Sequence, residues 1–144
     1  MANYQGAGAF LASFTADEDL TLLQYKLVKA ASTVGNVASA TSACAPMPIG
    51  VLINDPSAGQ AATVVSLGWT KAKAKVNACY LSHGVFLSGA SDGFLEPALG
   101  AAGTEPIMGR WFGSRQLTAD TSVLGDVLLF PLPACIAASQ AAAY

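Results

Sequence analysis

The strongest constraint on the fold is the run from Ile49 to Val76, where apolar segments flank Asp55-Pro56-Ser57-Ala58-Gly59. Asp, then Pro, then a Gly just beyond is type I turn chemistry. Ile49 to Asn54 reads as a strand, with Ile49, Val51 and Ile53 on one face and Leu52 on the other. Ala62 to Leu67 reads as its antiparallel return. Gly68 marks a bulge or bend. Trp69 to Val76 then alternates with the period of two that a half-buried strand requires.

The rest of the chain has the same style. Gln24 to Ala30 alternates roughly, and Val85 to Ser88 and Phe94 to Leu95 flank a Ser91-Asp92-Gly93 turn, a second hairpin signal. Pro106 to Phe112 and Val127 to Pro131 also read as strands. Gly and Pro interrupt every few residues, as short-strand folds require. Asp17 to Lys29 is the best helical candidate and ranks below strand, while Ala134 to Ala143 reads as one or two helical turns, marginal on their own. The expectation is an all-β domain, a small barrel or sandwich, over residues 20–133. An extended N-terminal arm (1–19) with apolar anchors Phe10, Leu11 and Phe14 precedes it, and a tail (134–144) follows. An internal echo links Tyr25 and Pro48-Ile49-Gly50 with Tyr80 and Pro106-Ile107-Met108-Gly109, at offsets of 55 and 58 residues. It suggests two similar β-units, with chance agreement as the alternative.

Charge is scarce. Seven Lys and Arg with nine Asp and Glu make 11% of 144 residues, where an ordinary soluble domain carries about 25%. So few charges leave a free surface a poor margin against association. The expectation is a surface largely covered by other protein chains, against the alternative of a monomer with a bland small-residue surface. A net charge of −2 offers no electrostatic footprint for nucleic acid. No apolar run approaches the ~20 residues of a membrane-spanning helix, and Met1 to Gln5 lacks the basic and apolar regions of a signal peptide. Cys44, Cys79 and Cys135 are odd in number and widely spaced, which fits reduced thiols; one disulfide with a free thiol stays open.

Chemistry-bearing patterns are few. Gly89-Ala90-Ser91-Asp92-Gly93 matches a nucleophile elbow, but that motif needs a strand–turn–helix with Asp and then His following. The single histidine, His83, precedes the serine, and Phe94 to Pro97 reads as strand. A small esterase using Ser91 is the enzyme rival, and a β-turn is the plainer reading. Cys79 and His83 make no zinc site alone, and no phosphate-binding loop occurs. No catalytic residue, metal or cofactor is expected. Asp17-Glu18-Asp19 reads as a solvated turn or a helix start. Lys71, Lys73 and Lys75 alternate with Ala72, Ala74 and Val76, so in a strand all three project from one face. They read as the guard of an edge strand or as a basic stripe for an acidic patch on a partner.

Pro48-Ile49-Gly50-Val51-Leu52-Ile53-Asn54-Asp55-Pro56-Ser57-Ala58-Gly59-Gln60-Ala61-Ala62-Thr63-Val64, followed by Gly68-Trp69-Thr70-Lys71-Ala72, resembles the signature hairpin of small phage capsid cement, or decoration, proteins. Met1 to Gly8 is similar to that family's small-residue opening, and Gly125 to Leu129 to its last strand. Arg110 to Ser122 is longer and more polar than the family pattern, and residues beyond Pro133 look added. The resemblance implies a virion protein on the outside of an icosahedral head. It would be commonly trimeric and would clamp adjacent major capsid subunits against the pressure of packaged DNA. The contact residues expected from it and from the surface reading are Asn3, Tyr4, Phe10, Leu11, Phe14, Lys71, Lys73 and Lys75, with neither nucleic acid nor membrane as partner. A β-rich tail or spike component is the alternative.

Overall fold

The computed structural model describes residues 8–40, 48–76, 80–90, 92–98, 106–116 and 122–132. Within them the protein is all-β. The strands are β1 (Phe10–Ala16), β2 (Leu27–Ala30), β3 (Asn36–Ser39), β4 (Pro48–Leu52), β5 (Ala61–Lys75), β6 (Phe86–Gly89), β7 (Leu95–Pro97), β8 (Ile107–Trp111) and β9 (Ser122–Leu132). They pair in the order β1-β3-β2-β4-β5-β7-β6-β8-β9, with further pairings β1–β5 and β5–β9. The first extra pairing closes five strands into one small barrel, and the second closes another. Of the two expected architectures the barrel is the one formed, twice, and closure removes the sheet edges.

β5 belongs to both barrels. Its first half pairs with β1 and β4, and its second half with β7 and β9. Gly68 bends the strand, as the sequence reading expects, and the two runs on either side of it, Ala62 to Leu67 and Trp69 to Val76, belong to this one strand as far as Lys75. The φ of Gly68, +98°, is a conformation glycine adopts without penalty. The β1 register slips alongside, from Phe10↔Leu67 to Leu11↔Val65. The chain at Gly8–Ala9 crosses the bend so closely that a Cβ on Gly68 would lie 2.2 Å from the Gly8 carbonyl oxygen.

The two barrels repeat each other in strand register. Val28 pairs with Gly50 and Lys29 with Pro48; Leu87 pairs with Gly109 and Ser88 with Ile107. The same bulge therefore recurs, at Ile49 and at Met108. β1 runs parallel to β3 at Ala16↔Val37, and β5 runs parallel to β7 at Ala74↔Leu95. Tyr25, the one described non-glycine residue with positive φ (67°), donates its N–H to the Leu52 carbonyl at 2.6 Å. Gly84 (φ 81°) does the same to Trp111, also at 2.6 Å. The Pro-Ile-Gly part of the echo thus lies in a structural repeat, with Gly50 matched to Gly109 and Leu52 to Trp111, while Tyr25 matches Gly84 and not the Tyr80 that the sequence suggests.

Each barrel has its own core. Ala16, Leu20, Val28, Val37, Leu52, Ala62 and Val64 fill the first. The matching positions Ala74, Leu87, Leu95, Trp111 and Val127 lie in the second. The second core also takes Leu27, Val51 and Val65 from the outer face of the first barrel, so the barrels are joined by apolar burial as well as by β5.

Several local expectations are corrected. Within the segment expected as an arm, Phe10–Ala16 forms β1, paired along β5. Gly8 and Ala9 read as flexible in isolation, but they lead directly into a strand that is one of the five of the first barrel. The strand expected from Gln24 starts at Leu27, because the positive φ at Tyr25 breaks the extended backbone. The bulge at Ile49 turns that side chain toward the first core with Leu52, while Val51 and Ile53 face the second. The tight turn of the first hairpin lies at Ser57–Gln60, where the Gln60 N–H reaches the Ser57 carbonyl at 3.0 Å. Cys44, Cys79, Cys135 and the tail (134–144) lie outside the described residues.

Candidate interaction surface

β5 sets the lysine stripe as the alternation requires. Ala72 and Ala74 point into the second core, and Lys71, Lys73 and Lys75 point outward. The strand is paired on both sides here, so an edge-strand guard is not their role. Two of the three are neutralised within the chain. The Lys71 ammonium is 2.9 Å from the carboxylate of Asp126, its partner across β9, and that carboxylate is buried. Lys75 lies 2.7 Å from exposed Asp92 and within 5.6 Å of the Phe94 ring. Lys73 has no ion pair among the described residues.

These two pairs differ in consequence. Removing the cation from a buried carboxylate leaves a charge with little solvation. Lys71→Ala is therefore expected to cost about 2 kcal/mol, less than a fully buried pair because Lys71 itself is partly exposed. Lys75→Ala should cost under about 1 kcal/mol. Urea titrations of the two variants check the ranking, and equal losses would contradict it.

Two carboxyls are held below their ordinary values. Partial burial pushes Asp92 up, but the hydrogen bond and charge of Lys75 outweigh it. The Ser39 hydroxyl and backbone N–H both donate to Glu18 and pull it down. A depressed folded pKa means that each adds stability above its unfolded value, lost as pH falls through the folded one.

Of the other expected contact residues, Asn3 and Tyr4 lie outside the described residues. Phe10 and Leu11 are exposed, Phe10 by 64%. Phe14 packs against the first core instead. Leu67, opposite Phe10 across the strand pair, is 53% exposed and extends the apolar patch. Sequence reading missed it, because an apolar residue in an apolar strand reads as core until the bulge turns it outward. It also missed Arg110, whose guanidinium lies 4.4 Å over the Phe86 ring, with Phe130 packed edge-on to Phe86 at 6.3 Å.

The described residues on either side of the Gly89-to-Gly93 motif are strands, where a nucleophile elbow needs a strand and then a helix. Gly89 ends one strand and Leu95 begins the next, with the Gly93 N–H donating to the Ala90 carbonyl in the hairpin between them. Ser91 lies outside the described residues. His83 packs edge-on against Phe112 at 4.9 Å, and Phe112 packs on Trp69 at 5.0 Å. Among the described residues no cluster of three His, Cys, Asp or Glu is placed to hold a metal ion, and no helix is long and apolar enough to cross a membrane.

The arrangement is thus a pair of fused five-stranded barrels with exposed apolar and aromatic–cation patches. No protein-family model and no curated protein matches the chain. Among solved structures it is similar to the N base of the head fiber gp8.5 of bacteriophage phi29, at a TM-score of 0.55 and 14% identity. The match covers 85% of this chain and 94% of the other. At that identity the likeness is one of fold.

Proposed function

We propose that this chain is a structural protein of a phage virion that binds the outside of the assembled head and cements adjacent major capsid subunits. The single observation that carries the reading is the fold: nearly the whole chain follows that of a head fiber base. The hairpin at 48–64, which resembles the cement family, points the same way. So do the low charge and the apolar patch at Phe10, Leu11 and Leu67. The role is non-enzymatic, without cofactor, nucleic acid or membrane, and a homotrimer is the form that would match a threefold site on a capsid. The mechanism is linkage. A ligand that binds only the expanded lattice stabilises it by its own binding free energy, and many copies bridging subunits act together.

The test is co-sedimentation with expanded heads of the phage that encodes the chain. Wild type is expected to bind in many copies across the head. Phe10→Asp with Leu67→Asp removes two apolar contacts worth about 1.5 kcal/mol or more each, and should weaken binding at least ~10-fold. Binding confined to one vertex, or no binding by wild type, overturns the cement reading. Equal binding by the double variant overturns the patch as its contact.

A further inference from the structure

Barrel closure leaves one stretch of strand edge in the first barrel. β1 runs beside β5 from Phe10 to Thr15, but on its other side it meets β3 only at Thr15↔Asn36 and Ala16↔Val37. Which backbone groups face that side follows from the partners. The Thr63 carbonyl accepts from the Ile53 N–H, the Thr63 N–H donates to the Asn54 side chain, and the Ala61 carbonyl accepts from it. Thr63 and Ala61 thus face away from β1. Opposed residues of an antiparallel pair point both toward each other or both apart. Ser13 and Thr15, opposite Thr63 and Ala61, therefore turn their N–H and C=O groups away from β5, and by alternation Leu11 does too. Thr15 uses its N–H on the Gly35 carbonyl at 3.0 Å. Beyond it the chain turns off, with the Asn36 N–H on the Thr33 carbonyl at 3.1 Å. Among the described residues no strand or turn pairs with Leu11 or Ser13 on this side, and both are exposed.

Nothing guards this edge. Phe10–Ala16 holds neither charge nor proline, which are devices that keep an edge strand from pairing. The open lane beside it runs from Phe10 to Phe14, because Gly35 occupies the place next to Thr15.

We infer that this edge pairs with the same edge of a second copy, antiparallel about a two-fold axis at Ala12. Leu11 of each chain then faces Ser13 of the other and exchanges both backbone bonds with it. Ala12 faces itself as the closer, non-bonded pair, where a small side chain fits. Slipping the register one way sets Leu11 against Thr15, whose N–H is already bonded to Gly35. Slipping it the other way sets Ser13 against Ala9, which packs on the second core. Alternation places Phe10 on the face of Ala12 and Phe14, so each exposed Phe10 is covered beside Phe14 of the other copy. The occupant is a second copy because the edge supplies its own complement and carries no charge to repel a like strand. So short an overlap stays well below the ~1,200 Å² of a stable interface, and the pairing is weak and reversible. It covers Phe10, and so belongs to the unattached chain: a copy held to a head through that side chain has left its pair.

Light scattering of the full chain at rising concentration, up to about 1 mM, tests this. Wild type should climb from the 14.6 kDa chain mass toward twice that value. Added salt should not reverse the climb, because no ion pair is made. Amide exchange at Leu11 and Ser13 should slow over the same series. Ser13→Pro removes an N–H that points away from the β5 ladder, so the fold should persist and the mass should stay at that of one chain. Leu11→Lys should weaken pairing at least ~10-fold. Adding Ser13→Glu to it should restore pairing, by setting opposite charges across each Leu11–Ser13 position. Should Ser13→Pro unfold, Leu11→Lys still decides, since it changes an exposed side chain. A one-chain mass for wild type throughout overturns the inference, as does association that survives Leu11→Lys. Loss that Ser13→Glu fails to rescue overturns the register about Ala12.

Discussion

Gly50→Ala and Gly109→Ala are each expected to abolish the native fold, or to leave a chain that unfolds in very little urea. A Cβ on Gly50 would lie 2.2 Å from the Val65 carbonyl oxygen and 2.8 Å from a Val64 methyl. On Gly109 it would lie 2.3 Å from the Leu128 carbonyl oxygen. A flexible side chain yields to such a clash at about 1–3 kcal/mol, but a backbone oxygen moves only with its strand. Relief therefore means parting β4 from β5, or β8 from β9, and losing ladder bonds worth about 1 kcal/mol each along with core contacts. A total above about 4 kcal/mol is a large share of the 5–15 kcal/mol that holds a domain together. Gly35→Ala is the control. Its φ is +81° but space around it is open, so it should cost only the left-handed strain, about 1–2 kcal/mol. Urea midpoints for the three variants decide the matter. If Gly50→Ala costs no more than Gly35→Ala, the close approach of β4 to β5 is not what demands glycine there.

That pair of glycines also shows how far the sequence could be read. Pro48-Ile49-Gly50 and Pro106-Ile107-Met108-Gly109 were visible as an echo, but matching proline to proline sets it one residue out. The shared physical demand is the missing Cβ at Gly50 and Gly109, together with the bulge before it, and a demand of that kind leaves no mark on hydropathy. The hairpins were legible because turn chemistry is local. The outward set of Lys71, Lys73 and Lys75 was legible because side-chain alternation is a property of the strand alone. The neutralisation of Lys71 and Lys75 was not, since Asp126 and Asp92 reach them only through the closed barrel. β1 was hidden for the same reason: Phe10–Ala16 is held by a partner more than forty residues away in sequence. The surface patch at Phe10 and Leu67 depended on a bulge, which moves one residue across the sheet without changing composition.

The largest coupling should be found between Trp111 and Gly125. Repeating barrels give two solutions to one packing problem. The first core sets Leu52 beside Ala62, and the second sets Trp111 at the position of Leu52 and Gly125 at that of Ala62. The larger ring uses the volume that the smaller partner leaves: a Cβ on Gly125 would stand 2.3 Å from the edge of the Trp111 ring. The ring is also pinned, since its Nε1–H donates to the Ser114 carbonyl at 2.9 Å. Gly125→Ala alone overpacks a ring that cannot swing away, at about 2–3 kcal/mol. Trp111→Leu alone opens a cavity beside Gly125 and orphans the Ser114 carbonyl, at about 3 kcal/mol. Together they rebuild the Leu52–Ala62 arrangement, so the added methyl fills part of the space that the ring vacates. The double variant should be more stable than Trp111→Leu alone, with a coupling of about 2 kcal/mol or more in a double-mutant cycle. Additive losses would mean that the two barrels share a topology but not a packing scheme, and that the second core tolerates its tryptophan by a route independent of Gly125. Recovery would mean that one barrel's core is a working template for the other, as two copies of a single β-unit require.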